Sequence, residues 1–234
     1  MKYLKFREGA EESYAVTEAF NTLKTNLAFC GDDTKVVILT STLENEGKSQ
    51  TILDLAKAQG EDGKRVVIVD ADMRKSVVLS KLELDQGVDL KGLSHYLSGQ
   101  AKINDVLYRT SIPGVDMVIS GPVPPNPATL VGNEYFRHLI GQARNNYDSV
   151  LIDTPPLGMV IDAAVMAPEC DGAIILVEAG RINKRDVQEV KKQFDMAGCK
   201  VLGVVLNKIP LESNGYYKGY YKGYYKGYYS KKYE

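Results

Sequence analysis

Residues 41–49 read Ser-Thr-Leu-Glu-Asn-Glu-Gly-Lys-Ser and follow the apolar run Val36-Val37-Ile38-Leu39. A short loop that leaves a buried strand and ends in Gly-Lys-Ser at the start of a helix is a P-loop. Its chemistry is phosphate binding. Backbone amides of Leu43, Glu44, Asn45, Glu46 and Gly47, continued by Lys48, Ser49 and Gln50 at the helix N-terminus, wrap phosphate oxygens. Lys48 reaches the β and γ oxygens and the Ser49 hydroxyl binds Mg²⁺. One position departs from the general pattern: Thr42 stands where the first glycine is expected.

Two other apolar runs end in carboxylates. Val66-Val67-Ile68-Val69 is followed by Asp70-Ala71-Asp72-Met73-Arg74, and Ser149-Val150-Leu151-Ile152 by Asp153-Thr154-Pro155-Pro156. Alone, these are ordinary turn residues. Beside a P-loop strand, Asp70 and Asp72 become candidates for holding Mg²⁺ and for accepting a proton. Asp153 takes the Walker B place, which holds the metal's water shell. Asn207-Lys208 closes the last apolar run, Val201 to Leu206.

The proton donor is suggested by the other end of the chain. Nine of its fifteen tyrosines, Tyr216, Tyr217, Tyr220, Tyr221, Tyr224, Tyr225, Tyr228, Tyr229 and Tyr233, stand in a repeated Tyr-Tyr-Lys-Gly unit within residues 215–234. Such a segment lacks apolar periodicity and carries a glycine every fourth residue, so burial cannot offset the entropy of ordering it. It is expected to be a mobile tail. It carries +4, leaving −5 on the rest of a chain whose total is −1. Neither value suggests nucleic-acid binding, which needs a clustered basic face.

The elements that must position these groups are legible as alternating patterns. Val36–Leu39, Val66–Val69, Val115–Ile119, Ser149–Ile152, Ala173–Val177 and Val201–Leu206 read as strands buried on both faces. Ser49–Gln59, Leu130–Asn145 and Asn183–Ala197 read as helices between them, and Glu11–Phe29 as a helix before the first strand. The alternation predicts an α/β fold with a doubly wound, mostly parallel sheet, whose ligands sit at the carboxyl ends of the strands. With 44% apolar residues, residues 1–214 suffice for one domain with a single core. Residues 215–234 form the tail.

Other residues carry less. Cys30, Cys170 and Cys199 include no CxxC pair and read as reduced core cysteines. His95 and His138 are isolated and read as packing or surface residues. Pro122-Val123-Pro124-Pro125-Asn126-Pro127 reads as a rigid loop leading into a helix. No apolar run approaches the ~18 residues of a spanning helix. A cytoplasmic protein is expected, attached to the membrane only through a partner.

Together, Thr42–Ser49, Val-Val-Ile-Val-Asp-Ala-Asp-Met-Arg and Leu-Ile-Asp-Thr-Pro-Pro closely resemble the bacterial tyrosine kinases of capsule and exopolysaccharide systems. There the three are called Walker A, A′ and B, and the tyrosine cluster is the autophosphorylation site. The resemblance implies a P-loop kinase that uses ATP and Mg²⁺ on its own tail and so regulates polysaccharide synthesis and export. Lys48 would neutralise charge on the moving phosphoryl, and Ser49 with Asp72 and Asp153 would organise the metal. Asp70 would accept the tyrosine proton, with the roles of Asp70 and Asp72 interchangeable. Arg74 either stabilises transferred charge or pairs with an aspartate. Asn207 resembles the family's base-contacting position, and the proline-rich turn has a counterpart there.

The resemblance also implies partners: a transmembrane activator of the polysaccharide co-polymerase kind, a ring of like subunits when unphosphorylated, and a protein tyrosine phosphatase. Glu18–Leu27 looks like the helix that lines the ring contact, but Asn21 and Lys24 replace its two arginines. Three rivals stay open. A cell-division or partition ATPase would carry a signature lysine where this chain has Leu43. A small-substrate P-loop kinase leaves the tail unexplained. A non-enzymatic membrane adaptor would use the Tyr-Lys tail in the interface.

Overall fold

The structure, a computed structural model, describes residues 2–7, 13–83 and 90–209. The strands are β1 (Lys2–Phe6), β2 (Val36–Ser41), β3 (Val66–Asp70), β4 (Leu82–Glu83), β5 (Leu107–Thr110), β6 (Val115–Val118), β7 (Ser149–Asp153), β8 (Gly172–Glu178) and β9 (Val201–Asn207). They form one sheet in the order β4-β1-β5-β6-β3-β7-β2-β8-β9. From β6 to β9 every pairing is parallel. Beyond β6 the sheet turns mixed: β5 is antiparallel to β6 and β4 to β1.

Eight helices connect the described strands: α1 (Tyr14–Ala28), α2 (Lys48–Glu61), α3 (Leu93–Leu97), α4 (Ile103–Val106), α5 (Pro127–Val131), α6 (Glu134–Asn146), α7 (Asp162–Met166) and α8 (Lys184–Met196). Strand periodicity decides which helix covers which face, because successive side chains point to opposite sides. Val36 and Ile38 join a core with Phe136 and Leu139 of α6 and Val190 and Phe194 of α8. Val37 and Leu39 join a second core with Leu27 of α1 and Ile52 and Leu55 of α2. Two cores on either side of one sheet define the doubly wound arrangement.

The six runs read as strands are all strands, and the central three are buried along their whole length. β9 differs. It lies at the sheet edge, with Val204 51% and Leu206 40% exposed, so its apolar run is not buried on both faces. The helix expected over Leu130–Asn145 is two helices. Asn133 separates them: its Oδ1 accepts the Phe136 amide at 3.1 Å as the N-cap of α6, while its Nδ2 donates to the Leu97 carbonyl at 2.8 Å. Pro127 opens the first of the two. Of the cysteines, only Cys199 is fully buried; Cys30 and Cys170 are half-buried, and all three are free.

Candidate active site

Parallel pairing brings the carboxyl ends of β2, β3 and β7 side by side. Asp70 and Asp153 are direct register partners, and Asp153 also faces Leu39 of β2. The P-loop that follows β2 is therefore adjacent to the paired carboxylates. Together with Asp72, Arg74, Lys75 and the Pro155-Pro156 turn it lines a cleft of about 280 Å³.

The loop is held from inside by Glu46. Its side chain is wholly buried; Oε2 accepts the Thr42 hydroxyl and the Leu43 amide, each at 2.8 Å, and Oε1 accepts the Glu178 amide at 2.9 Å. Thr42 thus replaces the first glycine because its hydroxyl ties down this carboxylate. Two sequence expectations change. Leu43 and Glu46 do not line the cleft, and the Leu43 amide is already engaged within the loop. Asn207 likewise braces the loop, its Nδ2 donating to the Glu46 carbonyl at 2.8 Å. Gly47 adopts φ +97°, and a Cβ there would come within 2.2 Å of that Asn207 nitrogen, so only glycine fits.

Lys48 is 7% exposed and donates to the Ser41 hydroxyl at 2.9 Å. Burial pushes its pKa below the usual lysine value, opposed by the charges of Asp153, Asp72, Glu46 and Glu44. The carboxylates feel the converse. Asp70 is fully buried; one oxygen accepts the Ser76 hydroxyl at 2.5 Å and the other has no partner among the described residues. Neither oxygen of Asp153 has a hydrogen-bond partner there. Burial first, and then the charge of Asp153, pushes Asp70 up to about 8. Burial pushes Asp153 up to about 6, with Ser49 and Lys48 acting against it.

Three orphaned carboxylate oxygens beside Lys48 and Ser49 are what a divalent cation would satisfy. Among the described residues no group of three or more His, Cys, Asp or Glu could hold a metal by itself. That suits Mg²⁺, which is commonly bound through one or two carboxylates plus phosphate oxygens and water. The Mg²⁺-free protein carries a consequence. Both carboxylates titrate higher folded than unfolded, so the folded state binds more protons between about pH 4 and pH 8. Stability contributed by this pair is present below pH 4 and is lost as pH rises to 8. Thermal unfolding in EDTA should show the melting temperature falling across that window, and Asp70→Asn should flatten the fall.

Asp72 is half-buried and accepts the amides of Arg74 at 3.3 Å and Lys75 at 2.9 Å, which fixes the turn after β3. Arg74 pairs with an aspartate: its Nε and Nη2 hold the two oxygens of Asp162 at 2.8 and 2.9 Å. Asp162, at the start of α7, is 1% exposed and was not found by sequence reasoning, since no apolar strand or motif marks it. Lys75 reaches Glu44 at 2.6 Å and Lys81 reaches Gln50 at 2.5 Å, two straps between the A′ segment and the P-loop side. The structure thus brings together Glu44, Asn45, Gly47, Lys48, Ser49, Gln50, Asp72 and Arg74 around the cleft, with Asp70 and Asp153 beneath. The nine tail tyrosines lie outside the described residues.

Comparison with known proteins places this geometry. A family profile described as an AAA domain matches residues 34–197. A tyrosine-protein kinase, CpsD of Streptococcus agalactiae, is 41% identical over 192 residues, covering 82% of this chain and 83% of that protein. The kinase domain of the Escherichia coli tyrosine kinase ETK superposes with a TM-score of 0.79 at 28% identity, covering 85% of this chain and 78% of that one. The septum site-determining protein MinD of Pyrococcus horikoshii, complexed with Mg-ADP, superposes less well, with a TM-score of 0.63 at 26% identity over 77% of this chain and 72% of that one.

Proposed function

Because this chain belongs to the bacterial tyrosine-protein kinases of the capsule type, we propose that its site transfers the γ-phosphoryl of ATP to the tyrosines of its own C-terminal repeat. It is a protein-tyrosine kinase that uses ATP and Mg²⁺. The observation that carries the tail reading is the buried Asp70–Asp153 couple, three of whose four carboxylate oxygens lack a hydrogen-bond partner among the described residues, at the floor of a P-loop cleft in a chain whose sequence ends in nine tyrosines.

The roles follow from position. Loop amides and Lys48 hold the β and γ phosphates. Ser49, Asp153 and Asp72 would hold Mg²⁺, which would neutralise charge building on the phosphate oxygens. Asp70 accepts the phenolic proton as the tyrosine oxygen bonds to the γ-phosphorus and the bond to the bridging oxygen of ADP breaks. Arg74, engaged by Asp162, keeps the A′ turn and α7 together at the mouth. Asn207 shapes the P-loop from β9, and in sequence the tail begins eight residues after that strand ends.

Transfer to a neighbour's tail, within a ring of like subunits, fits this placement. Each phosphate adds about −1.5 to −2 charge, so several of them turn the +4 tail strongly negative beside a −5 body. Phosphorylation then loosens the assembly and a phosphatase restores it. Among the described residues no helix is long and apolar enough to cross a membrane. A transmembrane activator brings the kinase to the inner face of the membrane, where it regulates capsular or extracellular polysaccharide synthesis and export. The test is a full-length chain with its nine tail tyrosines changed to phenylalanine. It should bind ATP as before and lose its phosphotyrosine; undiminished phosphotyrosine would place the acceptors elsewhere.

A further inference from the structure

A second cavity, of about 380 Å³, opens between α3, the Pro122–Pro125 turn and α5. Its lining has a definite chemistry. Pro122, Pro124, Pro125 and Leu130 supply apolar surface, and no Lys, Arg, Asp or Glu lines it. His95 Nδ1 accepts the Gly92 amide at 3.1 Å, so in the neutral ring Nε2 carries the proton and is the free donor. Ser94, also in the lining, is 5% exposed, and its hydroxyl has no partner among the described residues. An uncharged flat ring with one hydroxyl matches such a site: the prolines pack the ring, and the serine and histidine meet the hydroxyl.

Its place in the fold matters as much. β6 pairs with β3, Val118 opposite Val69, so the chain leaving β6 passes Asp70 one strand spacing away, about 4.8 Å. The α3 segment is fastened to that chain, Leu93 donating to the Ile119 carbonyl at 2.7 Å and Ser94 to the Ser120 carbonyl at 3.0 Å. The cavity is thus joined, through Ile119 and Ser120, to the chain segment that runs beside Asp70. Tail tyrosine pairs recur every four residues, about 13 Å of extended chain.

We propose that this cavity is a docking site for an unmodified tail tyrosine, which holds one phenol of the repeat while another, one or two repeats away, is presented at Asp70. The inference rests on the tail-kinase reading above. It also yields a direction. A phosphotyrosine would bring about two negative charges into a site without a cation, so the pocket releases a repeat once that repeat is modified and takes the next.

The test uses the full-length chain with its nine tail tyrosines changed to alanine as kinase, and two peptides as substrates: one with a single Tyr-Tyr-Lys-Gly unit, one with three. The three-unit peptide should show a KM lower by roughly fivefold, the size expected of one buried aromatic contact, with kcat unchanged. Val123, 68% exposed, lines the same cavity; Val123→Glu should abolish that KM advantage and leave the single-unit KM as it was. Gln100→Arg, also at an exposed lining position, should make the phosphorylated three-unit peptide an inhibitor. A readout independent of activity is the ring proton resonance of His95, one of two histidines in the chain. The unmodified peptide should shift it and the phosphorylated peptide should not. Equal KM values for both peptides, with the His95 resonance unmoved, would overturn the docking site and leave the tail kinase standing. A shifted His95 resonance with neither peptide phosphorylated would sustain the pocket and remove the tail-kinase reading instead.

Discussion

Lys48→Met is expected to fold as the parent chain does and to lose tyrosine phosphorylation by roughly 10²–10³, the cost of removing one preorganised electrostatic stabiliser from a phosphoryl-transfer site. The fold survives because the lysine's one side-chain hydrogen bond among the described residues is dispensable: Ser41, which accepts from Nζ, donates its own hydroxyl to the Leu43 carbonyl at 2.6 Å and keeps that bond. The chemistry does not survive. Nζ sits beneath the P-loop, next to Asp153 and Asp72, and its charge is needed most as the γ-phosphoryl moves. Initial rates of phosphotyrosine formation, read beside thermal unfolding curves, check this. Parent-like rates in the variant would remove Lys48 from the mechanism.

Asp153→Asn should move stability and activity in opposite directions. Both Asp153 oxygens are buried without partners, and burial pushes the group up to about 6. Removing that charge relieves repulsion with Asp70, which lies opposite it in the β3–β7 register. In EDTA at pH 8 the variant should therefore melt higher than the parent; for a chain of this size each kcal/mol is worth about 2–4 °C. With ATP and Mg²⁺ it should be slower by at least about 10²-fold, because the amide cannot help neutralise the metal. A variant that is both less stable in EDTA and fully active would mean that Asp153 is an ordinary strand-end residue.

The parts of the site carried by local pattern were legible in the sequence. A P-loop and an Asp at the end of each of two buried strands follow from apolar runs and their terminators. What escaped depends on contacts between distant residues. Glu46 was given only a backbone role toward phosphate; that its carboxylate turns inward, where Thr42, Leu43 and Glu178 supply three donors to it, could not be read from the loop alone. Arg74 was left between two roles, and Asp162, eighty-eight residues away, decides for pairing. Asn207 was aligned with a base contact; the structure adds a bracing role, its Nδ2 donating to the Glu46 carbonyl.

The fold shows the same division. The six apolar strands were found, whereas β1, β4 and β5 were not: they are short and mix charged with apolar residues. The break at Asn133 was hidden because apolar spacing continues across it; the cap that makes it depends on Phe136 and Leu97. β9 carried the apolar signal of a central strand but ends the sheet, a matter of topology that no single run contains.

The central claim is that this cleft phosphorylates the tail. It is tested most directly by splitting donor and acceptor between two full-length chains. One carries the intact site with all nine tail tyrosines changed to phenylalanine; the other carries Lys48→Met with the tail intact. Mixed with ATP and Mg²⁺ and mapped by mass spectrometry, the Lys48→Met chain should gain phosphate on tyrosines between Tyr216 and Tyr233, while neither chain alone gains any. ATP consumed with both tails bare would contradict the account.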